Sequence, residues 1–307
     1  MKKKVTIIIP AFNEVENIIP IFNKIEDVFF TLNYNWDVLF IDDGSSDSTL
    51  DVFSKLSDKS NFKFISLSRN FGKDEAIKAG LDHVDADIII TMDADLQHPP
   101  TLIPEMINKW EEGYQVIYAY RNGNNPHVSY FNKLFSSLFW KLLSKLSGLK
   151  LEEGISDFRL LDKKVVLVLK SLDEYGIFLR GMVKWVGFRQ IGIQYVPDER
   201  LFGETTYSKK ALLKLAIYGI TSFSTKPLYA AIYLGFIFST LSLLYIPYII
   251  ISMCYNLEVP GWSSTIMTIV FFGGLQLIML GVIGVYIGKM FMQSKNRPNY
   301  IIQSNNL

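Results

Sequence analysis

The chain has 307 residues, and its 31 basic and 30 acidic side chains leave a formal net charge of +1, which argues against nucleic acid or any other polyanionic partner. A single cysteine, Cys254, excludes an internal disulfide framework. The length suits one sizeable α/β domain plus an extra element, and the positive mean hydropathy comes mainly from the C-terminal third.

Met1-Lys2-Lys3-Lys4 is followed only by Val5 to Pro10 before polar residues return, a run too short for a signal peptide. Lys4 to Pro10 instead reads as a first strand, released at Pro10-Ala11-Phe12-Asn13-Glu14, with helical periodicity from Glu16 to Phe30. Trp36 to Ile41 is a second strand ending in Asp42-Asp43-Gly44-Ser45-Ser46-Asp47, where Ser46 or Asp47 can cap a helix running through Leu56. Phe62 to Leu67 is a third strand, ending in Ser68-Arg69-Asn70-Phe71-Gly72-Lys73 before a helix from Asp74 to Val84. The fourth strand, from Ile88, stops on Asp93-Ala94-Asp95-Leu96-Gln97-His98-Pro99-Pro100, because the double proline cannot continue a ladder. Val116 to Tyr120 is a fifth, ending at Arg121. This alternation predicts a mostly parallel, helix-covered sheet.

Asp93 and Asp95 would point to opposite faces of a regular strand, so they converge only if the chain turns there. Two such acids at a strand's carboxyl end can hold Mg²⁺ or Mn²⁺, with waters and substrate phosphates completing the shell; the alternative is a solvated turn. Polar clusters at four successive strand ends argue for one composite site. No Gly-x-Gly-x-x-Gly or P-loop pattern is present, which sets aside dehydrogenase and NTPase readings, while the acids suit a nucleoside diphosphate carrying a leaving group. His83, His98 and His127 lack zinc-ligand spacing, and His98 is expected to shape its turn.

Between Lys226 and Glu258, and again between Glu258 and Lys289, no Asp, Glu, Lys or Arg occurs. Each gap exceeds the roughly 20 apolar residues that span a hydrocarbon core, which predicts two transmembrane helices near 228–253 and 264–286. Lysines flank the pair on both outer sides, so the positive-inside rule places both ends, and the domain before them, in the cytoplasm. His127 to Gly148 carries Phe131, Leu134, Phe135, Leu138, Phe139 and Leu142 on one stripe and Lys133, Lys141 and Lys145 on another. It reads either as an interfacial amphipathic helix or as a core-packing one. Ser208 to Ile220 reads as a second interfacial helix, and the polar residues 291–307 as a mobile tail.

With Ser156-Asp157-Phe158-Arg159-Leu160 added, five motifs stand in an order that resembles glycosyltransferase family 2, with its Rossmann-like GT-A fold. Within it the chain is similar to polyprenyl-phosphate enzymes of the bactoprenol glucosyltransferase and dolichol-phosphate mannose synthase type. The resemblance implies a GT-A domain over residues 1–207, and a nucleotide pocket formed by Pro10, Ala11, Asn13, Glu14, Asp42 and Asp43, with Lys73 and Arg69 nearby. It implies a diphosphate-bound Mg²⁺ or Mn²⁺ on Asp93 and Asp95, with Gln97 as a further metal contact. Arg121, Arg200 and the nearby Lys209 would meet the acceptor phosphate, and Asp157 is a catalytic base, an acceptor-positioning group, or a carboxylate that orients Arg159 or Arg200. The Gln-x-x-Arg-Trp motif of processive synthases is absent, which favours one sugar per turnover. The implied reaction is inverting transfer of glucose from UDP-glucose to undecaprenyl phosphate by a homotetrameric inner-membrane enzyme. Alternatives are a GDP-mannose or modified-pentose donor, and a membrane-anchored nucleotide-sugar-binding subunit without activity.

Overall fold

The computed structural model describes residues 2–121, 144–146, 148, 154–196, 219–255 and 261–307. Its centre is an eight-stranded sheet in the order β7-β5-β6-β4-β1-β2-β3-β8. The strands are β1 (Lys4–Ala11), β2 (Asn35–Asp42), β3 (Phe62–Leu67), β4 (Ile88–Thr91), β5 (Val116–Arg121), β6 (Ile155–Asp162), β7 (Gln190–Tyr195) and β8 (Ile302–Asn305). The inner strands are near-continuous apolar runs, such as Ile7-Ile8-Ile9 in β1 and Ile88-Ile89-Ile90 in β4, because helices cover both of their faces.

On one face lie α1 (Ile18–Phe30), α2 (Thr49–Leu56) and α4 (Ile103–Glu111), packed around Phe22, Phe40, Phe53 and Phe62. On the other lie α3 (Lys73–His83), α5 (Lys163–Ser171) and α6 (Leu179–Trp185), packed on Ile8, Ile41 and Ile89. Each fully buried Phe or Ile stabilises the fold by about 1.5–3 kcal/mol relative to exposure. Helix starts fall within a few residues of the sequence reading. At α2 the N-cap position falls on Ser48, one residue beyond the expected Ser46 or Asp47, and the Asp47 carboxylate before it accepts the Thr49 N–H at 3.0 Å.

β1, β2, β3 and β4 are parallel, and β1 lies between β2 and β4. Strand order therefore reverses beside β1, and the crevice at the carboxyl ends of β1 and β4 is the topological switch point at which such sheets bind ligands. β6 is antiparallel and inserts between β4 and β5. Its register with β4 pairs Ile88 with Asp162 and Thr91 with Arg159, so continuing it sets Asp157 opposite Asp93. An antiparallel strand is what brings an amino-terminal residue of β6 to the carboxyl end of β4.

Two apolar helices follow, α7 (Lys226–Cys254) and α8 (Trp262–Ser294). Phe238 packs on Phe271 and Phe272, while the Tyr286 hydroxyl donates to the Ser224 carbonyl at 2.6 Å, so the two run antiparallel. Ser264–Ser294 is long and apolar enough to cross a membrane. The base of α8 docks on the domain through Gln293, which donates to the Asp173 carbonyl at 2.7 Å, and Tyr300 donates to Asp82 at 3.0 Å.

The tail corrects an expectation. Instead of hanging free, it forms β8, antiparallel to β3, with Asn306 accepting the Phe64 N–H at 2.6 Å and donating to the Phe62 carbonyl at 3.3 Å. The sheet thus extends beyond the boundary drawn at residue 207, because β3 would otherwise leave an unpaired edge. The proposed interfacial helices at 127–148 and 208–220, apart from a few positions, lie outside the described residues.

Candidate active site

A cavity of about 190 Å³ opens at the switch point, walled by Pro10, Phe12, Glu14, Asp43, Lys73, Asp93 and Asp95. Parallel pairing of Ala11 with Asp42 puts the ends of β1 and β2 side by side, and the Asp43 N–H donates to the Ala11 carbonyl at 2.8 Å. Asn13, in a left-handed conformation at φ 56°, then stitches the two loops together. Its amide oxygen accepts the Ser46 N–H at 2.8 Å, and its own N–H donates to the Ser45 hydroxyl at 2.9 Å.

The two acids after β2 divide the work. Asp42 is buried and spends its oxygens on the Ser45 N–H (2.9 Å) and the Ser66 hydroxyl (2.7 Å). Asp43 reaches the cavity while accepting the Phe71 and Gly72 N–H groups at 2.7 and 3.0 Å, and burial holds its carboxyl above the usual range. This fixes the loop after β3. Gly44, at φ +69°, lets that loop approach, since a Cβ there would stand 2.3 Å from the Arg69 carbonyl carbon. Arg69 itself lies over the Phe71 ring at 3.9 Å.

Asp93 and Asp95 do converge on one cavity. The turn that brings them together has Leu96 at φ 62°, an uncommon conformation for a branched apolar residue and one concentrated at functional sites. His98 pins it: Nδ1 accepts the Asp93 N–H at 3.0 Å, and the ring stacks on Phe158 at 5.3 Å. Burial lowers the His98 pKa, so the neutral imidazole shapes the turn as expected. The Gln97 amide oxygen accepts from the Arg121 guanidinium at 3.0 Å, and the Arg121 Nε donates to the Tyr195 hydroxyl at 3.2 Å.

Asp157 is buried and ringed by cations. Arg180 grips it with two hydrogen bonds of 2.7 Å, Lys73 Nζ stands 2.8 Å from Oδ2, and Arg159 is 3.5 Å from Oδ1. Burial alone would raise its pKa, but Lys73, Arg180 and Arg159 outweigh burial and hold the carboxyl well below the usual range. Lys73 also meets Asp93 Oδ1 at 2.6 Å, which links the two acids that β4 and β6 set opposite each other. Beside this knot burial pushes Asp74 up to about 6 and Glu75 up to about 7.

Sequence reading missed Arg180, Asp74, Glu75 and the cavity-wall Phe12. Arg180 opens a short helix with no motif around it, and its tie to Asp157 is purely tertiary. Gly181 beside it abuts Phe223, where a Cβ would come within 2.5 Å of the ring, so α6 links Asp157 to the segment leading into α7. Arg200 and Lys209 lie outside the described residues.

The residues fit a divalent ion of the kind that keeps waters and borrows substrate phosphates. Asp93 Oδ1 is buried without an aligned hydrogen bond, and no cluster of three or more His, Cys, Asp or Glu ligands exists among the described residues. Two carboxylates, Asp93 and Asp95, share the cavity wall.

Comparison with known proteins agrees with this architecture. Residues 6–168 match the family model described as glycosyl transferase family 2. The chain is 41% identical over 300 residues to an uncharacterized glycosyltransferase of Bacillus subtilis, covering 97% of this chain and 93% of that protein. It is 39% identical over 303 residues to the bactoprenol glucosyl transferase of Shigella phage SfV, covering 98% of each. Among solved structures, glucosyl-3-phosphoglycerate synthase from Mycobacterium tuberculosis aligns with a TM-score of 0.50 at 17% identity, covering 72% of this chain and 79% of that one, a likeness of fold. The acid-walled cavity at the switch point of a mostly parallel GT-A sheet, in a chain so matched, establishes an enzyme that belongs to glycosyl transferase family 2.

Proposed function

We propose that the chain transfers one sugar, glucose from UDP-glucose, to the phosphate of undecaprenyl phosphate at the cytoplasmic membrane face, with inversion at the anomeric carbon. The observation that carries this reading is the cavity bounded by Asp43, Lys73, Asp93 and Asp95, in a chain matching a protein named bactoprenol glucosyl transferase over nearly its whole length. Phe12, 44% exposed on the cavity wall, offers a face for a nucleobase, and Asp43 offers an acceptor for ribose or base N–H and O–H groups.

Asp93 and Asp95 would hold Mg²⁺ or Mn²⁺, which when bound supplies charge neutralisation for the departing diphosphate. The acceptor needs little help from a base, because a phosphomonoester with a second pKa of about 6 is mostly dianionic at neutral pH. Asp157, clamped by three cations and held far from protonation, suits a positioning role and not that of a base. It holds Lys73, which lines the cavity, and is itself fixed by Arg180. Arg121, with Arg200 and Lys209, completes the acceptor-phosphate contacts in this reading.

The membrane part follows from the same reading. Both α7 and α8 cross the bilayer as a hairpin, since α7 has no Asp, Glu, Lys or Arg after Lys226, Tyr286 of α8 meets Ser224 just before α7, and the end of α8 meets Asp173 of the catalytic domain. An apolar cavity of about 400 Å³ at their base, walled by Leu146, Ile220, Pro227, Ile278, Val282 and Tyr286, suits the first isoprene units of the acceptor.

The test is to incubate the purified full-length protein in detergent with Mg²⁺, undecaprenyl phosphate and a panel of UDP- and GDP-sugars that includes a modified pentose. The expected result is a β-linked glucosyl lipid from UDP-glucose alone. Transfer from GDP-mannose or the pentose would replace the donor, and binding without transfer from any donor would favour the non-catalytic subunit.

A further inference from the structure

The ammonium of Lys73 lies between Asp93 and Asp157, 2.6 Å from Oδ1 of the first and 2.8 Å from Oδ2 of the second. Asp93 Oδ1 is a buried oxygen, and its contact with Lys73 is a short ion pair. Building on the metal reading given above, we infer that Lys73 is an exchangeable counter-ion: it occupies the metal's carboxylate while the site lacks donor, and it yields that oxygen when a nucleoside diphosphate arrives.

Three features make the exchange physically cheap. The backbone carrying Lys73 is fixed, because Asp43 holds the N–H groups of Phe71 and Gly72, while four methylenes leave the ammonium free to swing. The side chain is 39% exposed and lines the cavity, so its path into the diphosphate space is open. Asp157 keeps Arg180 and Arg159 when the lysine leaves, so it is not stranded as a buried unpaired charge.

The exchange is also favoured electrostatically. A divalent ion on Asp93 Oδ1 would sit within a few ångströms of an ammonium on the same oxygen, and like charges at that range repel strongly in a partly buried site. The diphosphate resolves the conflict by offering both cations oxygens of its own. Metal binding then becomes contingent on the nucleotide, which keeps the empty enzyme from sequestering the ion.

Mn²⁺ binding to the full-length protein in detergent, read by electron paramagnetic resonance of the free ion with and without UDP, tests this independently of turnover. In the wild type UDP should strengthen binding sharply. In Lys73→Met the nucleotide-free affinity should rise about ten-fold or more, given the size of the repulsion removed, and the enhancement by UDP should shrink. Lys73→Gln carries the same expectation should Lys73→Met fail to fold, and Lys73→Arg should keep the wild-type pattern. Nucleotide-free affinity unchanged or weakened in both neutral variants would overturn the inference. Asp93→Asn separates two failures: Mn²⁺ binding that survives it sinks the metal reading and this inference together, whereas binding lost in Asp93→Asn but indifferent to Lys73 sinks this inference alone.

Discussion

The strand-end site and the helical hairpin solve opposite problems with opposite materials. Around the cavity nearly every polar atom is committed: Asp42 to Ser45 and Ser66, Asp43 to the loop after β3, Asn13 to Ser46, and Asp157 to three cations. Along α8 the outward side chains are large and apolar, with Met267, Val270 and Leu277 each about 70% exposed. Exposed apolar surface on that scale fits the membrane span proposed for α8. The first region is organised by charge, and the second by what surrounds it.

That contrast can be broken at either end. The largest effect is expected from Arg180→Ala, which removes two charge-assisted hydrogen bonds from a buried carboxylate, about 1.5–3 kcal/mol each, while Lys73 and Arg159 stay. Thermal melting should record the loss, and Arg180→Lys should recover only part of it. In the hairpin, Leu277→Arg should cost about 2.5–3.5 kcal/mol of membrane insertion, seen as protein lost from the membrane fraction. The same exchange on a water-exposed helix would be nearly neutral, so undiminished membrane recovery would contradict the spanning role of α8.

Where the two regions meet, Gly181→Ala should cost about 1–3 kcal/mol by driving a methyl into Phe223. Turnover should fall more than nucleotide affinity, because the disturbance reaches Arg180 before the nucleotide loops. The smallest effect concerns pH. Burial, reinforced by Asp74 and Asp43, pushes the Glu75 carboxyl from 4.5 up to about 7, so the folded chain binds that proton more tightly than the unfolded one. Stability contributed by this group is therefore fully present below about pH 4.5 and is lost as the pH rises through about 7. Glu75→Gln removes the dependence, and its melting-temperature advantage over wild type should grow across that window to about 2–4 °C.

Much of this arrangement was legible in the chain, for physical reasons. Apolar runs ending in acids announced parallel strands and their carboxyl-end site, and the forced convergence of Asp93 and Asp95 required the turn found at Leu96. The charge-free C-terminal runs announced α7 and α8. What stayed hidden was tertiary. β6 is not among the five strands read from the sequence, and only its antiparallel insertion puts Asp157 against Asp93. Arg180 is a lone basic residue until the fold brings α6 to β6. Ile302–Asn305 looks like a polar end because its pairing is with β3, more than two hundred residues earlier. Periodicity reports which face a residue prefers, not which distant residue will share it.

The central claim is that Asp93 and Asp95 hold the ion on which sugar transfer to a prenyl phosphate depends. It is tested most directly by measuring Mg²⁺-dependent transfer of labelled glucose from UDP-glucose to undecaprenyl phosphate by Asp93→Asn/Asp95→Asn in detergent, beside wild type. The account expects a loss of about a thousand-fold or more with the fold intact. Transfer that stayed within a few-fold of wild type and still required the metal would contradict it.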